Sequence, residues 1–157
     1  MPRRIDLCHH ALAAVEKAVN AELWGFLHVE LGISLVQDPT GVRAENLEQA
    51  IVHCGLALEV YTRQAYPERR SAVQNTLATA YLDRIRGERA ENLDRAIVHY
   101  KRALEVITRQ AYPEEWAMTQ NNLANAYRIR IRGERAENLE QAIARCGGEL
   151  GNKGSEA

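Results

Sequence analysis

The side chains best suited to chemistry in this chain stand in two short clusters, Cys8-His9-His10 and His53-Cys54. Thiolate and imidazole are the usual ligands of zinc, and several of them brought to one point would make a metal site. Their register argues otherwise. Cys8, Cys54 and Cys146 are separated by 46 residues or a multiple of it, and Tyr100 holds the place between the last two. Residues one structural period apart lie side by side along a stack and do not surround an ion. We read them as buried structural thiols, with His53 and His99 on the outer face beside them, and expect no metal. Disulfides do not suit the register either, because packed helices lie about 8–10 Å apart and a bridge needs Cα atoms closer than about 7 Å.

Phosphate binding is the next chemistry to weigh. Arg128, Arg130 and Arg132 alternate with isoleucines, Arg135 follows, and Arg84, Arg86 and Arg89 stand one period earlier. A helix sends alternate residues to different faces, and Glu88, Glu91, Glu134 and Glu137 lie close by. Ion pairing on a solvated surface is the reading for this run; nucleic-acid binding through these arginines is the alternative. No Gly-rich phosphate loop, Ser-His-Asp arrangement or paired-carboxylate constellation is present. The chain is therefore read as a non-enzyme without cofactor.

The elements that would hold these residues are set by an internal repeat. GERAENL occupies residues 87–93 and 133–139, and GVRAENL occupies 41–47, so the period is 46 residues. Between 41–86 and 87–132, 30 of 46 positions are identical. A period in this range marks stacked supersecondary units, none able to bury its apolar face alone. One Phe and four Pro in 157 residues, with abundant Ala, Leu, Glu and Arg, suit helices. Twenty basic and 21 acidic side chains leave a formal charge of −1, which gives no global field toward nucleic acid or membrane. No apolar run reaches the roughly 18 residues of a membrane span, and the start lacks a secretory core. A cytoplasmic protein is expected.

Within one repeat, Leu93, Ala96, Ile97, Tyr100, Leu104, Ile107 and Ala111 recur at steps of three and four, the stripe of an amphipathic helix. Pro113 suits the first position of the next helix, and Trp116, Leu123, Ala124, Tyr127 and Ile131 carry its stripe toward Gly133, a residue suited to ending it. The repeated heptapeptide thus reads as a helix-to-helix connector. Residues 4–24 match the register when moved by 92 positions, which pairs Ile5 with Ile97 and Trp24 with Trp116. The chain therefore opens on a second-type helix. Its last helix is expected from Ala136 to Cys146, before Gly147-Gly148. A repeat domain is expected over 1–147 and a flexible tail over 148–157.

NNLANAY at 121–127 and AIVHYKRAL at 96–104 resemble the tetratricopeptide repeat, in the long-repeat variety of kinesin light chains and cyanobacterial arrays. Leu31, Leu77 and Leu123 match the first helix's Leu. Gly32, Ala78 and Ala124 match the small residue after it, and Ala50, Ala96 and Ala142, with Ala57 and Ala103, match the second helix's small positions. The ordinary repeat is about twelve residues shorter. The resemblance implies a right-handed all-α solenoid, here about seven antiparallel helices in about three and a half repeats, that binds a protein or peptide on its concave face.

In such an array the first helix of each pair lines the groove. The corresponding residues are Asn75, Thr76 and Thr79, then Asn121, Asn122, Asn125 and Arg128. Asn supplies donor and acceptor together and can bond a peptide backbone; Asn122 and Asn125 match residues the family uses in this way. In the first copy the positions of Ala72, Asn75 and Thr79 read Phe26, Val29 and Ile33. An exposed apolar patch of this kind marks a contact, so a homodimer through Phe26, Val29 and Ile33 is expected, unless the N-terminal helix covers them.

Overall fold

The computed structural model describes the backbone of residues 2–151 and the side chains of residues 4–137. Six helices follow one another: α1 (Pro2–Ala14), α2 (Ala21–Gln37), α3 (Arg43–Val60), α4 (Pro67–Asp83), α5 (Arg89–Leu104) and α6 (Pro113–Gly151). No strand occurs among the described residues, so the fold is all-α. Each helix packs on its neighbours in the chain, and α2 with α4, and α4 with α6, also touch. The first-type helices α2, α4 and α6 therefore run side by side, while α3 and α5 pack behind the gaps between them.

The two inner connectors are built alike. Gly41 and Gly87 both take φ +79°, a conformation open to glycine at little cost. Asn46 Nδ2 then donates to Thr40 O at 3.1 Å, and Asn92 Nδ2 donates to Arg86 O at 2.8 Å. Arg43 reaches back to the carbonyl of Val36, and Arg89 to that of Leu82. The heptapeptide thus carries its own turn: a glycine for the φ, and an Arg and an Asn to hold the carbonyls that the bend frees. Connections at the other end use Thr62 and Thr108, whose hydroxyls accept from Ala65 N and Ala111 N, both at 3.2 Å. Pro67 and Pro113 open the helices that follow.

The third copy differs from expectation. No turn forms at Gly133; α6 runs on through it to Gly151, without a separate helix beginning at Ala136. Helix α3 is gripped by α2 and α4, and α5 by α4 and α6, so each connector that does form leads into a helix packed on two sides. The side chains of Ala142 and Cys146 and the expected tail lie outside the residues whose side chains are described. On α6, Ala124 is exposed, although its register partner Ala78 is fully buried; Thr119 and Ala126 stay buried, like their register partners Val73 and Ala80.

Elsewhere the core follows the register. Leu31, Leu77 and Leu123 are buried, as are Ala50, Ala57, Ala96 and Ala103. Cys8, Cys54 and Tyr100 share one buried position in three copies. Where Cys54 replaces the tyrosine, the facing residue is Gly32, and a Cβ there would stand 2.7 Å from Cys54 Sγ. The smaller side chain on α3 is matched by closer approach of α2. No helix of the described residues is long and apolar enough to cross a membrane.

Candidate functional site

Beside a further hollow at Leu23, Phe26 and Arg69, the face made by α2, α4 and α6 carries a pair of adjoining hollows along its seam. One, of about 240 Å³, is lined by Phe26, Val29, Tyr61, Arg69 and Ala72. The other, of about 230 Å³, is lined by residues of all three helices, among them Ile33, Asn75, Thr76, Thr79, Met118 and Asn122. Ala72 to Asn75 on α4, and Val29 to Ile33 on α2, are one helical turn each. The hollows are therefore neighbours along the seam, roughly 5 Å apart along the helix axis.

The structure brings together two groups that the sequence separates. Ile33, expected at a self-association patch, shares a hollow with Asn75, Thr76, Thr79 and Asn122 from the expected binding face. Asn121 and Arg128 are exposed outside the hollow, and Asn125 Oδ1 accepts from Arg128 Nη2 at 2.6 Å. Phe26 stays 48 % exposed. Helix α1 does not cover it, because Ile5, Cys8 and Leu12 of α1 belong to the cluster around Leu31, Leu35 and Leu47.

The second hollow contains an unused acceptor. Asn75 Oδ1 is shielded from water and has no hydrogen-bond partner among the described residues. The threonines beside it are engaged with their own helix: Thr76 Oγ1 donates to Ala72 O and Thr79 Oγ1 to Asn75 O, both at 3.1 Å. Thr79 Oγ1 also lies 3.0 Å from Tyr100 OH. A buried polar atom without a partner costs about 1–3 kcal/mol, so this oxygen is an open valence for a donor.

In the first hollow Arg69 is the polar anchor. It bonds Glu22 at 2.7 Å and sits over the rings of Tyr61 and Tyr66, 5.5 and 5.7 Å from their centroids. Tyr61 OH donates to Glu22 O at 3.1 Å. The sequence reading missed Arg69 and Tyr61. Arg69, Ala72, Thr76 and Thr79 keep a step of three and four along α4, so helical spacing alone could have added Arg69 to the stripe.

Two of the connector arginines, Arg84 and Arg130, link successive repeats. Arg84 bonds Glu48 through Nε and Nη2, both at 2.8 Å, and its Nη1 donates to Asn92 Oδ1 at 3.2 Å. One period on, Arg130 repeats this link with Asp94 at 3.1 Å. These contacts clamp one repeat to the next, and Arg84 holds the Glu48 carboxyl below its usual range.

His53 and His99 correct the sequence reading: neither lies on an outer face. Each is one residue before the buried position of α3 or α5, which turns it into the seam with the preceding first-type helix. His28 and His53 meet at 2.8 Å through their Nδ1 atoms, so one of the two carries the hydrogen. His99 Nδ1 lies 2.5 Å from Gln74 Oε1, with its ring stacked on Tyr81. Burial lowers the pKa of His28 to about 4, with His53 the next cause. It lowers that of His99 to about 4 as well, followed by Arg102 and Arg95. His53 is lowered by burial and by His9. Burial also pushes the Cys54 thiol up to about 12 and raises Cys8; both are free thiols, held in the unreactive protonated form. Among the described residues no three His, Cys, Asp or Glu side chains could hold a metal ion together.

No family model, curated protein or solved structure matches this chain.

Proposed function

We propose that this chain is a cytoplasmic, non-catalytic interaction scaffold, a right-handed solenoid of the tetratricopeptide kind that holds an extended peptide or partner segment along α2, α4 and α6. The observation that carries the reading is the unpartnered, water-shielded Asn75 Oδ1 in a hollow lined by all three helices. A peptide N–H supplies the missing donor, and the neighbouring hollow at Phe26, Val29 and Ala72 accepts an apolar side chain. An extended chain places side chains of one face about 7 Å apart, close to the spacing of hollows on successive helical turns. Asn122 lies within this arrangement; Asn121, Asn125 and Arg128 form the outer margin.

Selection of displayed random peptides on the immobilised protein tests this. Selected sequences should lose binding when Asn75→Ala or Asn122→Ala replaces the wild type, and keep it with Arg109→Leu, which lines neither hollow. A selection that yields no peptide, or peptides indifferent to both asparagines, overturns the reading.

The exposed Phe26 supports a second use of the same face, a homodimer through Phe26, Val29 and Ile33. Because Ile33 lines the hollow of Asn75, dimer and peptide compete. Light scattering should show a dimer at high micromolar concentration that becomes a folded monomer in Phe26→Asp; a wild type monomeric at that concentration ends this part of the proposal.

A further inference from the structure

The hairpins α2–α3 and α4–α5 carry the same polar frame 46 residues apart. In the first, Lys17 pairs with Glu59 at 2.5 Å, and His28 meets His53. In the second, Arg63 pairs with Glu105 at 2.9 Å, and Gln74 meets His99. Beside the frame, Trp24 becomes Arg70 and Leu56 becomes Arg102, while Ala21 becomes Pro67 and Gly25 becomes Ser71. Trp24 packs over His28 with 4.1 Å between ring centroids, and Lys17 Nζ lies 4.8 Å from the centre of the Trp24 ring. In the second hairpin the equivalent space is a hollow of about 320 Å³, lined by Arg63, Arg70, Ser71, Gln74, Arg102 and Glu105 among others. Position 116 of the third copy is again Trp, under Arg109. Only the middle repeat replaces the aromatic plug with an arginine.

The charges in this hollow do not cancel. Glu105 answers Arg63. Arg70 donates to Tyr61 O at 2.9 Å and Leu58 O at 3.4 Å, contacts that fix its guanidinium without neutralising it. Arg102 is exposed and has neither an ion pair nor a hydrogen bond among the described residues. Gln74 is only 2 % exposed; His99 occupies its Oε1, while its Nε2 has no acceptor among the described residues. Pro67 also lines the hollow and opens α4, which adds the positive end of that helix dipole. Arg102 already acts on its surroundings, as a cause of the lowered pKa of His99. Three guanidiniums against one carboxylate, in a chain of net charge −1, are a local property of this site.

We propose that the hollow between the start of α4 and the end of α5 binds a phosphate dianion, free or as a phosphate monoester, with Arg102 and Arg70 bearing the charge and Gln74 Nε2 as a neutral donor. Arginine suits phosphate because its planar fork offers two parallel donors. The site lies on the flank of α4 turned to α5, apart from Asn75 and Thr76, so it is independent of the peptide face.

Calorimetry on the full chain at low ionic strength, with inorganic phosphate and with N-acetyl-phosphoserine amide as separate probes, tests the assignment. Saturable binding of at least one probe is expected, and the tighter one identifies the source of the phosphate. Arg102→Leu, which installs the residue of the first hairpin at an exposed position, should weaken binding about tenfold, or about 1.4 kcal/mol. Arg70→Trp should abolish it by refilling the hollow, whereas Arg109→Leu should change nothing. A histidine titration by NMR with sulfate, doubly charged throughout, needs no variant: the anion should raise the pKa of His99 by offsetting Arg102. No saturable binding of either probe, an equal loss with Arg109→Leu, or a His99 titration unmoved by sulfate overturns the proposal.

Discussion

Residues 87–93 and 133–139 spell the same seven letters, GERAENL, and take different shapes. The first bends at Gly87 with φ +79° and starts α5; the second continues α6. The local code is identical, so the difference lies in what the segment docks against. Helix α5 is held by α4 and α6 together, and the fixed costs of a turn are offset by burial on two sides. At Gly133, continuing the helix keeps every backbone hydrogen bond without a bend. The heptapeptide permits a turn, and tertiary packing decides whether it forms.

The largest effect expected from this contrast is in the core. Leu77 lies in the cluster with Tyr100 and Leu93, and Leu77→Ala should cost about 2–5 kcal/mol in urea unfolding. Leu123, at the equivalent place on α6, has exposed Ala124 next to it, and its replacement by Ala should fall at the low end of that range. Equal costs for the two leucines would mean that a returning helix covers Leu123 in solution.

The glycines give a smaller and more direct test. Gly87→Ala forces a side chain into the left-handed region and should cost about 1–2 kcal/mol. Gly133 is helical, with no atom within 4 Å of an added Cβ. Gly133→Ala should therefore stabilise by about 0.5–1 kcal/mol. Destabilisation by both substitutions would break the contrast and place a turn at Gly133 too.

These contrasts also show why sequence reached as far as it did. The connectors, the Pro-opened helices and the buried alanine and leucine register were legible because each rests on signals repeated within a single unit. The seam contacts were not. Whether His53 and His99 face water depends on how closely α2 packs to α3 and α4 to α5, which no spacing along one helix reports. Ala124 carries the letter of buried Ala78 and yet is exposed, so burial there follows from what packs on the helix and not from the residue's identity. Of the candidate site, the helix faces could be read from periodicity. That Ile33 and Asn75 line one hollow could not, since it depends on how α2 and α4 sit against each other.

The seam histidines make a prediction about pH. Above about 6.5 neither the folded nor the unfolded chain protonates His28 or His99. Between about 6.5 and about 4 the unfolded chain binds protons that the folded chain refuses at these sites, so stability falls as pH drops through this window and the loss levels off below it. His28→Gln, which copies Gln74 of the second hairpin, should make the melting temperature fall less steeply over that range. An unchanged slope would show that the His28–His53 pair is open to water.

The smallest change in stability should come at the site itself. Asn75 and Asn121 hold the same register position in neighbouring repeats, one with a water-shielded, unpartnered Oδ1 and the other exposed. In the free protein Asn75→Ala relieves the desolvation of Oδ1 but also loses the packing of the side chain, so the two offset and the net change should be neutral or slightly stabilising, within about 0.5 kcal/mol. Asn121→Ala should be equally silent in melting. The two must part in binding, where Asn75→Ala leaves a peptide N–H unpaired in the hollow and should weaken a selected peptide about tenfold, or about 1.4 kcal/mol, against little change at Asn121. Clear destabilisation by Asn75→Ala would mean that the oxygen already has a partner in the free protein, most simply an ordered water, and that it is not waiting for a ligand.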